Sequence, residues 1–188
     1  ELKVYITSVT EQFATISING PYSSQLMKKL CPNHDFSKDN FSHMSFQYIE
    51  IAGVNCRVMR ISFTGEKCYE INVPSSYAKA LWEKCFNLGK EYNITPYGTE
   101  AMHVLRAEKG FIIVGQETDG SITPIDLDMS WIVSKNKYDF IGKRALYRSD
   151  TIREDRKQLV GILTKNPKEV IEEGAQLVEK LTTLPMEM

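Results

Sequence analysis

Three strand-length segments follow one another between residues 46 and 73, and the links between them are too short for anything but hairpins. Phe46–Ile51, 55–62 and 67–73 are joined by links of three and four residues, with Ala52-Gly53 making the first turn and Thr64-Gly65-Glu66 the second. Glycine-containing links of this length join antiparallel neighbours, whereas a parallel pair needs a crossover of about a dozen residues. The middle of the chain is therefore expected to be an antiparallel meander. Directly after it, residues 76–92 repeat apolar positions at helical spacing. Ala78, Leu81, Trp82, Cys85 and Gly89 share one face, with Phe86 and Leu88 nearby. Pro74-Ser75-Ser76 supplies a start with a serine as N-cap. A second helix is expected from about Thr99 to Lys109, stopped by Gly110. A small antiparallel sheet with helices packed on it, followed by separate strands, is an α+β layout.

The flanks extend this plan. Residues 3–9 alternate imperfectly, Val4, Ile6 and Ser8 against Tyr5, Thr7 and Val9, and read as a strand. Phe13–Asn19 alternates cleanly and reads as another, ended by Gly20-Pro21. A short helix is expected over residues 24–30, then a polar loop over residues 31–40. The apolar run 111–114 predicts a buried strand. Residues 117–128 are rich in Gly, Asp, Thr and Pro, and a segment of this kind is long enough to be functional. A short helix is expected near Gly142, a strand over residues 158–164, and another over residues 175–181. No internal repeat is visible.

Composition narrows the function classes. The 188 residues carry a net charge of -1, and 42% are hydrophobic against 25% charged. That is the balance of a soluble globular domain, with no basic footprint for nucleic acid. The basic pairs Lys135/Lys137 and Lys143/Arg144 lie beside acidic residues and read as solvated surface. No apolar stretch approaches the roughly 18 residues a membrane span needs. No signal peptide is read at the start, and residue 1 is glutamate, so the chain is expected to be a piece of a longer polypeptide. Cys31, Cys56, Cys68 and Cys85 form no CxxC pair, and the histidines do not fall at zinc spacings. Reduced thiols in a cytoplasmic protein and no metal are the expectation.

Few side chains point to chemistry by themselves. There is no P-loop, GxGxxG, GxSxG or HExxH. Glu70 lies between Tyr69 and Ile71 in a strand. It either faces solvent or faces a cavity, and in a cavity it needs a partner, because an unpaired buried charge is costly. The adjacent N–H donors of a pterin or guanine edge match a carboxylate bidentately. Arg106 and Glu108 on the second helix form either a structural ion-pair set or an anchor for an acidic ligand tail. Trp131 either packs a junction or offers a flat face to a ring. His103 reads as an ordinary helix histidine.

Arg60-Ile61-Ser62-Phe63-Thr64-Gly65-Glu66-Lys67-Cys68-Tyr69-Glu70-Ile71-Asn72-Val73-Pro74 resembles the TGExGYEIxVP signature of the glycine-cleavage T-protein (aminomethyltransferase) superfamily. Within it, residues 96–111, Gly115-Gln116-Glu117-Thr118-Asp119-Gly120, Thr123-Pro124, residues 139–146, residues 174–178 and residues 4–12 are similar to one branch. That branch is the C-terminal half of the α subunits of heterotetrameric sarcosine oxidases. The motifs run in register over nearly the whole chain.

The resemblance implies an aminomethyltransferase-like folate-binding fold, with residues 1–132 part of that domain and residues 133–188 the truncated beginning of a C-terminal barrel domain. It implies tetrahydrofolate as the ligand of this module. In the complete enzyme it implies FAD, FMN and NAD outside this chain, and as partners a flavin-carrying β subunit and smaller subunits. There a flavin oxidises the N-methyl group of sarcosine. The resulting imine yields glycine and 5,10-methylenetetrahydrofolate, or formaldehyde when folate is absent. The pterin-gripping glutamate of the family falls on Glu70, next to Tyr69, and its tryptophan after the polar loop falls on Trp131. A family arginine that holds the folate tail falls on Met102, so that contact is absent or replaced. Arg106 matches another arginine of the same helix and is carried with Glu70, Tyr69 and Trp131 as a folate-site residue, its role mainly structural. The family's catalytic aspartate lies upstream, so no catalytic residue is expected here and the isolated chain is expected to be inactive. Related demethylases, dimethylglycine oxidases, aminomethyltransferases or a non-catalytic folate-binding scaffold are the alternatives.

Overall fold

A computed structural model of the chain describes residues 2–172, 174–176 and 178. The chain divides into two compact units, Glu1–Glu117 and Thr118–Met188.

The first unit contains the sheet. Strands β1 (Phe13–Asn19), β2 (Phe46–Ile51), β3 (Val54–Met59) and β4 (Cys68–Pro74) stand in the spatial order β1-β4-β3-β2, every pair antiparallel. The last three are the meander that the short links dictate. The first strand returns beside the last, a Greek key traced from its C-terminal end. Helix α1 (Ser23–Leu30) forms part of the long connection from β1 to β2. Helix α2 (Ala78–Gly89) follows β4, and α3 (Thr99–Lys109) follows α2. Gly110 caps α3 in the left-handed conformation at φ 83°, where a glycine has no Cβ to clash.

Period-two alternation sorts the sheet into two faces. Ile16, Ile18, Ile49, Ile51, Cys56, Val58, Tyr69, Ile71 and Val73 line one face. Leu26, Met27 and Leu30 of α1 and Leu81 and Cys85 of α2 close over it, so helix and sheet bury one shared core. Phe36 and Phe41, from the loop before β2, pack edge-on or tilted against the Tyr69 ring at 5.6 and 5.8 Å. Tyr69 itself is fully buried, and its hydroxyl lies 3.0 Å from Ser24 Oγ.

Several expectations are corrected. Residues 3–9 form no strand. Tyr5 and Ile6 are fully or nearly fully exposed, and no neighbour pairs with them among the described residues, so alternation alone does not make a ladder. Residues 111–114 form a loop rather than a strand: the main-chain N–H groups of Gln116 and Glu117 both donate to Ile113 O, which turns the chain back. Residues 158–164 also form no strand, and Leu163 is exposed. No serine caps α2. A 3-10 turn, Ser75–Tyr77, leads into it, and the Ser75 hydroxyl donates to Glu11 O instead. The short helix after Gly142 is a 3-10 turn, Lys143–Tyr147. The strand expected over 175–181 lies largely outside the described residues.

The second unit has no strand among its described residues. A buried polar clip organises it. Asp126 accepts from Arg156 Nε at 2.8 Å and Nη2 at 2.6 Å, and from the Thr123 amide and hydroxyl at 2.8 and 2.9 Å. Arg156 also donates to the carbonyls of Ser121 and Asp150.

Candidate functional site

The face of the sheet turned from the core is polar and carries Glu70. Directly opposed residues of an antiparallel pair project to the same side. Ser17 faces Glu70 from β1 and Met59 faces it from β3, while Phe46 of β2 faces Met59. One row across the sheet therefore reads Phe46, Met59, Glu70, Ser17. The next reads Tyr48, Arg57, Asn72, Thr15.

Glu70 is half-buried, and burial pushes its carboxyl above the usual glutamate value. Among the described residues no ion pair or hydrogen bond engages that carboxylate. Beside it, Ser17 Oγ and Cys68 Sγ lie 3.2 Å apart. Burial pushes the Cys68 thiol up to about 11, so it stays protonated and is no nucleophile at neutral pH. Phe46 and Tyr48 are exposed, and their rings meet edge to face at 6.0 Å. The arrangement is an unpaired carboxylate beside an apolar strip.

A cleft of about 280 Å³ runs along the outer edge of β1. Trp82, Phe86, Ile94, Tyr97 and Met102 supply its apolar walls, and Thr15 and Ser17 line it from β1. Those two residues also belong to the rows through Asn72 and Glu70, so cleft and carboxylate are neighbours across one strand. Trp82 and Phe86 stand one helical turn apart, with ring centroids 4.8 Å apart and the ring planes tilted by 47° to each other. Met102, where the resemblance matches an arginine, sits in this apolar cleft and supplies no charge.

The other carried residues are placed apart. Tyr69 adjoins Glu70 in sequence and so points to the opposite face, into the core. Arg106 is buried at 5% exposure; its Nη1 donates to Glu117 Oε1 and to Phe111 O, and Glu117 Oε2 accepts from the Ile113 amide at 2.7 Å. Burial alone would raise the Glu117 carboxyl, but the Ile113 and Arg106 hydrogen bonds outweigh it and hold the group below its ordinary value. Arg106 thus pairs with Glu117 and clamps the loop after α3, while Glu108 and His103 are exposed. Trp131 lies in the second unit on a 3-10 turn, Ser130–Ile132, and is 76% exposed.

Sequence reasoning did not find Arg57, Asn72 or Met59. Asn72 was detectable in principle: it is an amide among apolar strand residues, and a buried amide requires partners. Naming those partners needed the register.

The family model described as the GCVT N-terminal domain matches residues 1–137. A sarcosine oxidase subunit alpha of Corynebacterium sp. (strain P-1) is 54% identical over 179 residues, which is 95% of this chain and 18% of that protein. The sarcosine oxidase subunit alpha of Rhizobium meliloti (strain 1021) is 34% identical over 182 residues, again 18% of its length. An aminomethyltransferase of Caldanaerobacter subterraneus subsp. tengcongensis is 37% identical over 146 residues, 78% of this chain and 38% of that protein. The chain thus spans under a fifth of the sarcosine oxidase subunits it matches. With an antiparallel sheet where the motifs require one and a family match over most of its length, the chain belongs to the GCVT N-terminal domain family.

Proposed function

We propose that the chain is a folate-binding portion of a sarcosine oxidase α subunit, with Glu70 gripping the pterin. The unpaired, desolvated carboxylate carries this reading. A charge left without donors at the centre of a sheet face is an unfinished site, and two adjacent N–H groups of a flat ring complete it. Met59 and Phe46 extend an apolar strip from Glu70 on which such a ring rests. The cleft along β1 suits the aromatic middle of the ligand, with Met102 packing against it. Tyr69 fixes the strand from the core side, and Arg106 fixes the loop that follows α3; Trp131 is carried as a folate-site residue on the family resemblance alone. Tetrahydrofolate supplies the acceptor for a one-carbon unit, and this chain's residues bind and orient it.

In the complete enzyme, sarcosine is demethylated oxidatively to glycine, with FAD, FMN and NAD held elsewhere and a flavin-carrying β subunit and smaller subunits as partners. On this reading residues 1–132 belong to the folate domain and residues 133–188 lead into a C-terminal barrel. The four buried free cysteines suit a cytoplasmic enzyme, and no helix among the described residues is long and apolar enough to cross a membrane. The 54% and 52% identity to the two Corynebacterium sarcosine oxidase subunits, against 37% to the aminomethyltransferase, supports this reading over a simple transferase.

The test titrates tetrahydrofolate into the complete α subunit with its partners. A charge-assisted contact contributes about 1.5–3 kcal/mol. Glu70→Gln should therefore weaken binding about tenfold or more, while Glu66→Gln, in the exposed turn before β4, leaves it unchanged. Wild-type affinity in Glu70→Gln refutes the assignment.

A further inference from the structure

Glu70 has a guanidinium next door that it does not use. Arg57 faces Asn72, and Met59 faces Glu70, so Arg57 stands diagonal to Glu70 on the same face of neighbouring strands. Diagonal neighbours are about 7–8 Å apart, within reach of long side chains. An arginine and a glutamate so placed on a sheet face are able to pair. Here they do not: among the described residues no salt bridge joins them.

The cause is visible in the hydrogen bonds. Arg57 Nε and Nη2 both donate to Asn72 Oδ1, at 3.0 and 2.8 Å. Asn72 is held in turn, because its Nδ2 donates to Thr15 Oγ1 at 2.8 Å. The amide is buried at 4% exposure, and the Arg57 guanidinium lies over the Phe13 ring at 5.9 Å. A chain from Thr15 through Asn72 to Arg57 thus crosses three strands and turns the cation from the carboxylate. A carboxamide suits this task. It accepts from the guanidinium as an aspartate would, yet adds no second negative charge beside Glu70.

We propose that Asn72 is a positioning residue that holds Arg57 off Glu70 and so keeps the carboxylate free for the ligand's N–H donors. The proposal rests on the reading of Glu70 above. With the latch gone, Arg57 swings to Glu70 and competes with the ligand for the same oxygens.

The experiment uses the complete α subunit with its partners and titrates tetrahydrofolate into wild type, Arg57→Gln, Asn72→Ala and Asn72→Ala/Arg57→Gln, with Glu70→Gln as reference and a thermal melt of each. Asn72→Ala should weaken binding about fivefold, the scale of one competing ion pair. That deficit should shrink at high salt, which screens the competing pair. Arg57→Gln should bind as wild type, and the double variant should return to within about twofold of it. Should Asn72→Ala melt too early to use, Asn72→Ser takes its place, being too short to reach Arg57, and the same outcomes apply. A double variant as weak as Asn72→Ala, or Asn72→Ala binding as wild type, overturns the latch while leaving Glu70 as the ligand's partner. Wild-type affinity in Glu70→Gln overturns both.

Discussion

In the first unit, every residue of the apolar core, from Ile16 to Cys85, is buried between one sheet face and the helices and loop that cover it. In the second, the most buried described groups are polar, Thr123 and Asp126, and Arg156 ties them to residues far along the chain. The two therefore answer differently to insult. Apolar burial spreads its contribution over many contacts and tolerates acid. A polar clip concentrates it in one carboxylate that must stay ionised.

Three experiments strain that contrast. The largest effect is expected from Ile71→Ala, which opens a cavity at a fully buried position of β4. A loss of about 2–5 kcal/mol follows, and hydrogen exchange should rise across the sheet; a loss under about 1 kcal/mol would mean the core is looser than described. Next is Asp126→Ala, which leaves Arg156 and the Thr123 amide without their acceptor. Exchange should quicken at least about tenfold in residues 121–157 while the sheet keeps its protection. Equal quickening in both units would merge them into one cooperative body.

The smallest effect concerns pH. Arg156 hydrogen bonds hold the Asp126 carboxyl well below the usual carboxylate range. A depressed folded value contributes stability that is present above the unfolded value, about 3.9, and is lost as pH falls toward the folded one. Glu70 has the opposite sign, because burial raises its folded value. Its ionisation costs stability at neutral pH, and the cost vanishes as pH falls below the unfolded value. Glu70→Gln should therefore raise ligand-free stability by under about 1 kcal/mol at neutral pH, an advantage that disappears near pH 4. Equal melting temperatures at both pH values would show a fully solvated carboxylate.

The sequence makes some of this readable. Turn glycines and clean alternation are local signals, so β1 to β4 and α3 could be placed within a residue or two, apart from β3, which ends at Met59 rather than residue 62. Residues 3–9 and 158–164 carry strand-like patterns too, but a strand needs a neighbour, and pattern does not supply one. The run 111–114 misled for a different reason: Glu117, four residues on, captures the Ile113 amide and bends the chain. At the site, the resemblance singles out Glu70, yet its isolation was unreadable. That property depends on which residue faces which across β3 and β4, a register no single segment encodes.

Tyr69 and Glu70 sit side by side on β4 and serve opposite faces, and this interleaving has a consequence for descent. Odd positions from 69 to 73 answer to the core, and even positions from 68 to 72 belong to the opposite face of the sheet. A lineage can therefore rewrite the even letters of the strand, exchanging one recognition chemistry for another, while the odd letters are inherited untouched. Loss of a single residue is a different event, since it transposes the two texts and sends a carboxylate into oil.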